Sequence, residues 1–172
     1  MAKKMIREAK ESEADLVKFQ LFDAANDKGK PHYEWAKAHE LTFDQAKMLF
    51  DYGTELGIEV FFSVFEVKYV DWCEKIGVKR YKIASGARNY GLLMAINNTG
   101  KIVIVSTSVG EENENEYHLS MKGHLDWLYC HEGYPQKLEG IPDFEESTYL
   151  WTGFSDHTIG LDAAKIALAR GA

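Results

Sequence analysis

Two lysines carry the clearest chemical signal in the sequence. Lys18 sits in the run DLVKFQ and Lys82 in RYKIAS, and along a strand successive side chains alternate between faces. Val17 and Phe19 then share one face, with Lys18 and Gln20 on the other; Tyr81 and Ile83 likewise oppose Lys82 and Ala84. If the apolar faces pack against helices, both ammonium groups turn inward, where a charge is costly unless it meets an opposite one. The alternative for either lysine is a frayed strand end that reaches water. Two in equivalent places point to an anionic ligand, phosphorylated or carboxylated. Hydroxyls gather at the expected carboxyl ends of the same strands: Ser63, Ser85 before Gly86, then Ser106, Thr107 and Ser108. Such donors cradle phosphate, although serines after strands also serve as ordinary turn formers. His157 in SDHTIG follows a strand, precedes a helix and has Asp156 beside it. It could bind a divalent metal, act as an acid or base, or be structural. His131 follows another strand and could meet it in space, whereas His32, His39, His118 and His124 read as surface. Cys130 reads as a buried small hydrophobe.

The elements that must hold these residues alternate. Strand-like runs occupy Asp15–Gln20, Glu59–Ser63, Arg80–Ser85, Lys101–Thr107, Asp126–Cys130 and Trp151–Phe154. Helical patterns occupy Met1–Glu11, Thr42–Leu56, Val67–Ile76, Tyr90–Asn98, 112–122 and Leu161–Arg170. From Glu59 onward the runs begin 21 to 25 residues apart, a spacing that suits right-handed βαβ crossovers and a parallel sheet. Thr42 with Gln45 forms a capping-box pattern, and Gly57 and Gly77 stand where helices end in a left-handed residue. Long polar insertions follow the first strand (22–40) and the fifth (131–149, with a short helix expected), the positions where α/β proteins build sites. An eight-unit (β/α) barrel takes about 250 residues, so the 172 present supply about six units. Either an open doubly wound sheet or a TIM-type barrel without its flanking strands fits this count.

Length and composition bound the function. The chain of 172 residues suits a single domain, 1–172, and a net charge of −7 gives no footprint for nucleic acid or an anionic membrane. Two cysteines without metal-knuckle spacing suit a reducing, cytoplasmic setting. The start lacks an apolar core of signal-peptide type, and no apolar run is long enough to span a bilayer.

Several motifs in order resemble the N-acetylneuraminate (sialic acid) synthase family, which includes the legionaminate and pseudaminate synthases. They are ADLVKFQ, GIEVFFSVFE, GVKRYKIASG, TGKIVIVSTS, YCHEGYP and GFSDHTIGLDAAKIALARGA, spanning nearly the whole chain. The resemblance implies a transferase on a TIM-type barrel that condenses phosphoenolpyruvate with the aldehyde of an N-acylated amino sugar, giving a nonulosonic acid and phosphate with the help of Mn²⁺ or Mg²⁺. On matching positions, Lys18 and Lys82 would bind phosphoenolpyruvate, with Ser85 and Thr107 as donors. Gln20, Ser63 and Tyr134 would line the substrate pocket, and Asp156 would support the chemistry. His157 would be one metal ligand. The family's second metal histidine falls at Tyr129, which leaves His131, two residues on, as the candidate second ligand and Glu132 as another donor. The family's first strand, last strand and C-terminal antifreeze-like domain are expected to be missing. Open sheet edges would then favour a homo-oligomer or completion by another chain. The competing reading is a non-catalytic relative that binds an anion and assembles with another polypeptide.

Overall fold

Helix boundaries follow the local chemistry. The computed structural model describes residues 1–107, 122–131, 133–145 and 151–172. Thr42 caps helix α3 (Phe43–Leu56) through a complete capping box: its side chain accepts from the Gln45 N–H, and Gln45 accepts from the Thr42 N–H. Gly57 closes α3 at φ 70° and Gly77 closes α4 (Lys68–Ile76) at φ 92°, conformations in which a Cβ would clash with the backbone. The remaining helices are α1 (Ala2–Glu11), α2 (Tyr33–His39), α5 (Tyr90–Asn97) and α6 (Asp162–Ala169). The helix expected over 112–122, together with Ser108, His118 and Glu132, lies outside the described residues.

Six strands form one parallel sheet in chain order: β1 (Leu16–Leu21), β2 (Glu59–Val64), β3 (Arg80–Ile83), β4 (Ile102–Thr107), β5 (Leu125–Cys130) and β6 (Trp151–Ser155). A doubly wound sheet reverses its strand order at a switch point. This sheet never does. Strict sequential order is the winding of a (β/α) barrel, and here the six strands form an open segment of one.

Alternation then sorts the side chains. Val60, Phe62, Val64, Tyr81, Ile83, Val103 and Val105 are buried in the core that also holds Leu49, Tyr69, Cys73, Leu92 and Ile96 from the helices. The opposite face is the barrel interior. Near its base Arg80 grips Glu59 through two bonds, Nε to Oε1 at 2.7 Å and Nη2 to Oε2 at 3.2 Å. Above that pair, the register aligns Gln20 with Ser63 and Ser63 with Lys82.

The insertion after β1 is structured. Asp23 caps a 3₁₀ turn (Ala24–Asp27) by accepting from the Ala25 N–H at 2.9 Å, and α2 follows. The insertion after β5 has no helix among its described residues, contrary to expectation. It is tied down by backbone pairing instead: Gln136 N–H donates to the His157 carbonyl at 2.8 Å and Gln136 bridges to Thr158.

Candidate anion-binding site

The carboxyl ends of the strands open onto a cavity of about 490 Å³. Its walls include Lys18 and Gln20 from β1, Ser63 from β2, Lys82 from β3, Ser106 from β4, Cys130 from β5 and Ser155 from β6. Ser85 and Gly86 after β3, Tyr134 after β5 and His157 after β6 complete the rim. Both lysines thus turn inward, with Ser63 of the intervening strand between Gln20 and Lys82.

Lys82 is 7 % exposed and donates to Ser106 Oγ at 2.6 Å and to the Ile83 carbonyl at 2.7 Å. These acceptors are neutral. Burial, and then the charges of Lys18 and Arg88, press its pKa down to about 7, with the Cys130 thiol opposing them. Lys18 is lowered by desolvation too, although its side chain is exposed. His157 is lowered by burial and by both lysines, against a hydrogen bond to the His131 backbone and the charge of Asp156. In all three groups the protonated, cationic form is therefore disfavoured. An anion in the cavity would reverse that trend.

Two polar atoms in this wall are unpaired. Ser63 Oγ and Ser85 Oγ are buried without a hydrogen-bond partner, a condition that costs stability unless a ligand or water completes it.

Other sequence-predicted residues stand differently. Thr107 is buried, but alternation puts it on the helix-facing side with Val103 and Val105, away from Lys82; its Oγ1 accepts from Arg88 Nη1 at 3.4 Å. Asp156 is exposed and outside the cavity wall, where its Oδ1 accepts from the Thr158 N–H at 2.8 Å. His131 is also exposed and off the wall. Tyr134, 83 % exposed, stacks on His157 with centroids 4.1 Å apart, its hydroxyl 2.9 Å from Nε2. Cys130, read from sequence as a buried small hydrophobe, is buried and also lines the cavity, with Sγ 3.8 Å from His157 Nδ1.

These contacts decide the fit of a divalent metal. Among the described residues no three His, Cys, Asp or Glu side chains gather as a metal-binding set. Nε2 of His157 is engaged by Tyr134, and Tyr129 points to the helix side, against Trp151 and Phe154. The described side chains do not fit a metal centre.

A second cavity of about 610 Å³ adjoins the first and shares Gln20, Phe65 and Gly86 with it. The insertion after β1 supplies Asp23, Asn26, Asp27, His32 and Trp35. His32 is exposed, as expected, with Nε2 3.3 Å from Asp27 Oδ1. Asp27 also pairs with Lys30 at 2.7 Å, Asp23 pairs with Lys68, and Asn26 donates to Glu66 at 3.0 Å. Polar groups beside an exposed tryptophan face suit a polyhydroxylated guest. The sequence signal for this cavity was only the length of the insertion. Arg88, on its wall, carried no signal that face periodicity could read because it follows the strand.

Comparison with known proteins agrees with this architecture. A family model described as the NeuB family matches residues 5–172. The chain is 34 % identical over 185 residues to the uncharacterized protein MJ1065 of Methanocaldococcus jannaschii, aligning across its whole length with 55 % of that protein. It is 29 % identical over 203 residues to an N,N'-diacetyllegionaminic acid synthase of Legionella pneumophila, covering all of this chain and 57 % of the relative. The solved N-acetylneuraminic acid (sialic acid) synthetase of Leptospira borgpetersenii, in complex with citrate, superposes with a TM-score of 0.87 at 28 % identity, over 99 % of this chain and 64 % of that one. The chain thus spans little more than half the length of these curated relatives. Among the described residues no helix is long and apolar enough to cross a membrane.

Proposed function

The chain belongs to the NeuB family, and from that premise we propose that its lysine-lined cavity binds phosphoenolpyruvate for condensation with the aldehyde of an N-acylated amino sugar. The products are a nonulosonic acid and inorganic phosphate. The observation that carries the reading is the convergence of Lys18, Lys82 and the unpaired hydroxyls of Ser63 and Ser85 on one cavity at the carboxyl ends of the strands.

Phosphoenolpyruvate presents a phosphate that is nearly a dianion at neutral pH and a carboxylate. Lys82 and Lys18 meet this charge, and the serine hydroxyls donate to its oxygens. In the reaction, C3 of phosphoenolpyruvate bonds to the aldehyde carbon, whose oxygen takes a proton. Water adds at C2, and phosphate leaves by breakage of the C–O bond. A Lys82 poised near pH 7 can hold a proton toward the departing phosphate and still exchange it with solvent. The adjoining cavity offers Asn26, Trp35 and Asn89 to the acceptor's hydroxyls. Citrate in the Leptospira borgpetersenii relative supports a polyanionic guest on this fold.

The test is phosphate release from phosphoenolpyruvate and N-acetylmannosamine by the full chain, beside Lys82→Ala. Release by the parent alone is expected; equal release from both sinks the assignment. Burial of Tyr129 between Trp151 and Phe154 favours a second reading, anion binding without turnover. Phosphoenolpyruvate binding with no phosphate released would mark that case.

A further inference from the structure

We propose that Lys82 is also a nucleophile, its amine capturing the carbonyl of a small 2-oxo acid such as pyruvate as a covalent imine within the lysine-lined cavity. This activity is separate from phosphoenolpyruvate condensation: it needs a ketone in place of a phosphate ester and shares with it only the cavity.

An amine attacks a carbonyl in its neutral form, and the surroundings of Lys82 favour that form. The residue is 7 % exposed on the inner face of β3. Its hydrogen bonds, to Ser106 Oγ at 2.6 Å and to the Ile83 carbonyl at 2.7 Å, go to neutral acceptors. Among the described residues that line its cavity there is no carboxylate, whereas a second lysine, Lys18, is present. Burial beside another cation is an arrangement that activates a lysine as a nucleophile. The groups facing Lys82 are Lys18 from β1, Arg88 after β3, Ser106 from β4, Cys130 from β5 and His157 after β6. Of those that shift its pKa, only the Cys130 thiol favours the ammonium. At a pKa of about 7, about half of the amine is neutral at pH 7, on the order of a thousandfold more than for a lysine at the ordinary value.

The cavity supplies the rest of a 2-oxo acid site. Lys18 stands two strands from Lys82, about 9.5 Å across the sheet, a span that a three-carbon acid fills with a lysine side chain reaching in from each end. The carboxylate then meets Lys18 while the ketone carbon faces Lys82. Ser63 lies between the two strands' lysines, in register with Lys82, and its Oγ and that of Ser85 are buried without a partner. Those hydroxyls are two donors for the carboxylate oxygens.

The step balances without an oxidant or reductant. The Nζ lone pair bonds to C2 while the C=O π pair moves to oxygen, which takes up the first proton that nitrogen loses. The carbinolamine then expels its hydroxyl as water with the second N–H proton, and the nitrogen lone pair closes the C=N bond. Ser106 Oγ, 2.6 Å from the nitrogen, is placed to relay these protons.

Reduction with sodium borohydride of the full chain incubated with pyruvate tests this, because hydride fixes an imine as a stable secondary amine that peptide mass mapping locates. Labelling of Lys82 near neutral pH is expected to exceed that of the exposed Lys3, Lys4 and Lys75 by at least about tenfold. Lactate, which has no ketone, should give no adduct. Lys18→Gln is expected to lower the labelling of Lys82 by about threefold to tenfold, having lost both the carboxylate's partner and the charge that favours the neutral amine. Should that variant fail to fold, the map of the parent decides alone. Labelling absent from Lys82, or spread evenly over the exposed lysines, overturns the proposal, and undiminished labelling in a folded Lys18→Gln refutes the site geometry on which it stands. Phosphoenolpyruvate separates the two readings. Suppression of the adduct by phosphoenolpyruvate is expected where both hold; an adduct that it leaves unchanged counts against phosphoenolpyruvate in this cavity alone, and phosphoenolpyruvate turnover with no adduct refutes the imine alone.

Discussion

Lys82 on β3 donates to Ser106 Oγ on β4 at 2.6 Å, one diagonal step from Ile104, its partner in register. This bond and the one to the Ile83 carbonyl stabilise the protonated amine without neutralising it. Loss of either acceptor moves the balance toward the neutral form. Ser106→Ala is therefore expected to weaken phosphoenolpyruvate binding by about threefold to tenfold at pH 7. The deficit should shrink as the pH falls well below 7 and the amine becomes protonated in both proteins. Titration calorimetry at several pH values checks this, and a deficit independent of pH would assign Ser106 a contact with the ligand instead.

The lysine's depressed pKa also sets a pH dependence of stability. Lys82 titrates near 7 in the folded chain and at its ordinary value of 10.5 when unfolded. Between those values the unfolded state binds the extra proton, so this residue's contribution to stability rises with pH across the window and is lost as pH falls toward 7. Compared with Lys82→Met, which lacks the titration, the parent should gain on the order of 2 kcal/mol between about pH 7 and about pH 9. Urea denaturation of both proteins measures it. Phosphoenolpyruvate, by favouring the ammonium, should be bound with proton uptake above pH 7, visible as a buffer-dependent binding enthalpy.

Period-two alternation was enough to turn Lys18 and Lys82 toward one cavity, and the capping box at Thr42 and the glycines at 57 and 77 fixed helix ends within a residue. Strand order was not legible, because a parallel run looks alike in a doubly wound sheet and in a barrel. Thr107 was grouped with Ser106 by chemistry, although adjacent residues on a strand face opposite ways, so only Ser106 shares the face of Lys82. Arg88 and the second cavity escaped because irregular backbone has no period from which direction can be read.

His157 has its ring stacked by Tyr134 and its Nε2 engaged by the same hydroxyl. A single imidazole is a weak site for Mn²⁺, which prefers several hard oxygen ligands. The full chain is expected to leave the electron paramagnetic resonance signal of aqueous Mn²⁺ undiminished, and Tyr134→Phe, which frees Nε2 but adds no ligand, should do the same. Quenching of that signal in the parent and its loss in His157→Ala would demonstrate a centre completed by groups beyond the described residues.

Glu59 and Arg80 form a two-bond pair toward the base of the barrel interior, each partly exposed. Glu59→Ala leaves the guanidinium without its carboxylate in a half-buried setting. Allowing for that partial solvation, the cost should be about 1–3 kcal/mol, read as a lower urea midpoint. Arg80 is two residues before Lys82, about 6.5 Å along the strand, so phosphoenolpyruvate affinity should change little. A large loss of affinity with unchanged stability would place the pair within the ligand's field.

Gly53 on α3 lies close against β2 and the residue before it. A Cβ there would lie 2.3 Å from Val60 Cγ2 and 2.9 Å from the Ile58 carbonyl. Alanine would gain up to about 1 kcal/mol from helix propensity, but both contacts are too short to keep, and forcing α3 outward costs about 1–3 kcal/mol or more in a packed core. The overlap wins, so Gly53→Ala should be less stable despite its better helix former. Val60→Ala relieves the side-chain overlap at the price of a cavity and leaves the carbonyl clash in place. The double variant should therefore be destabilised by less than the sum of the singles, by about 1 kcal/mol. Urea midpoints for the four proteins complete the cycle; strict additivity would mean that α3 shifts as a body and the close approach does not limit the packing.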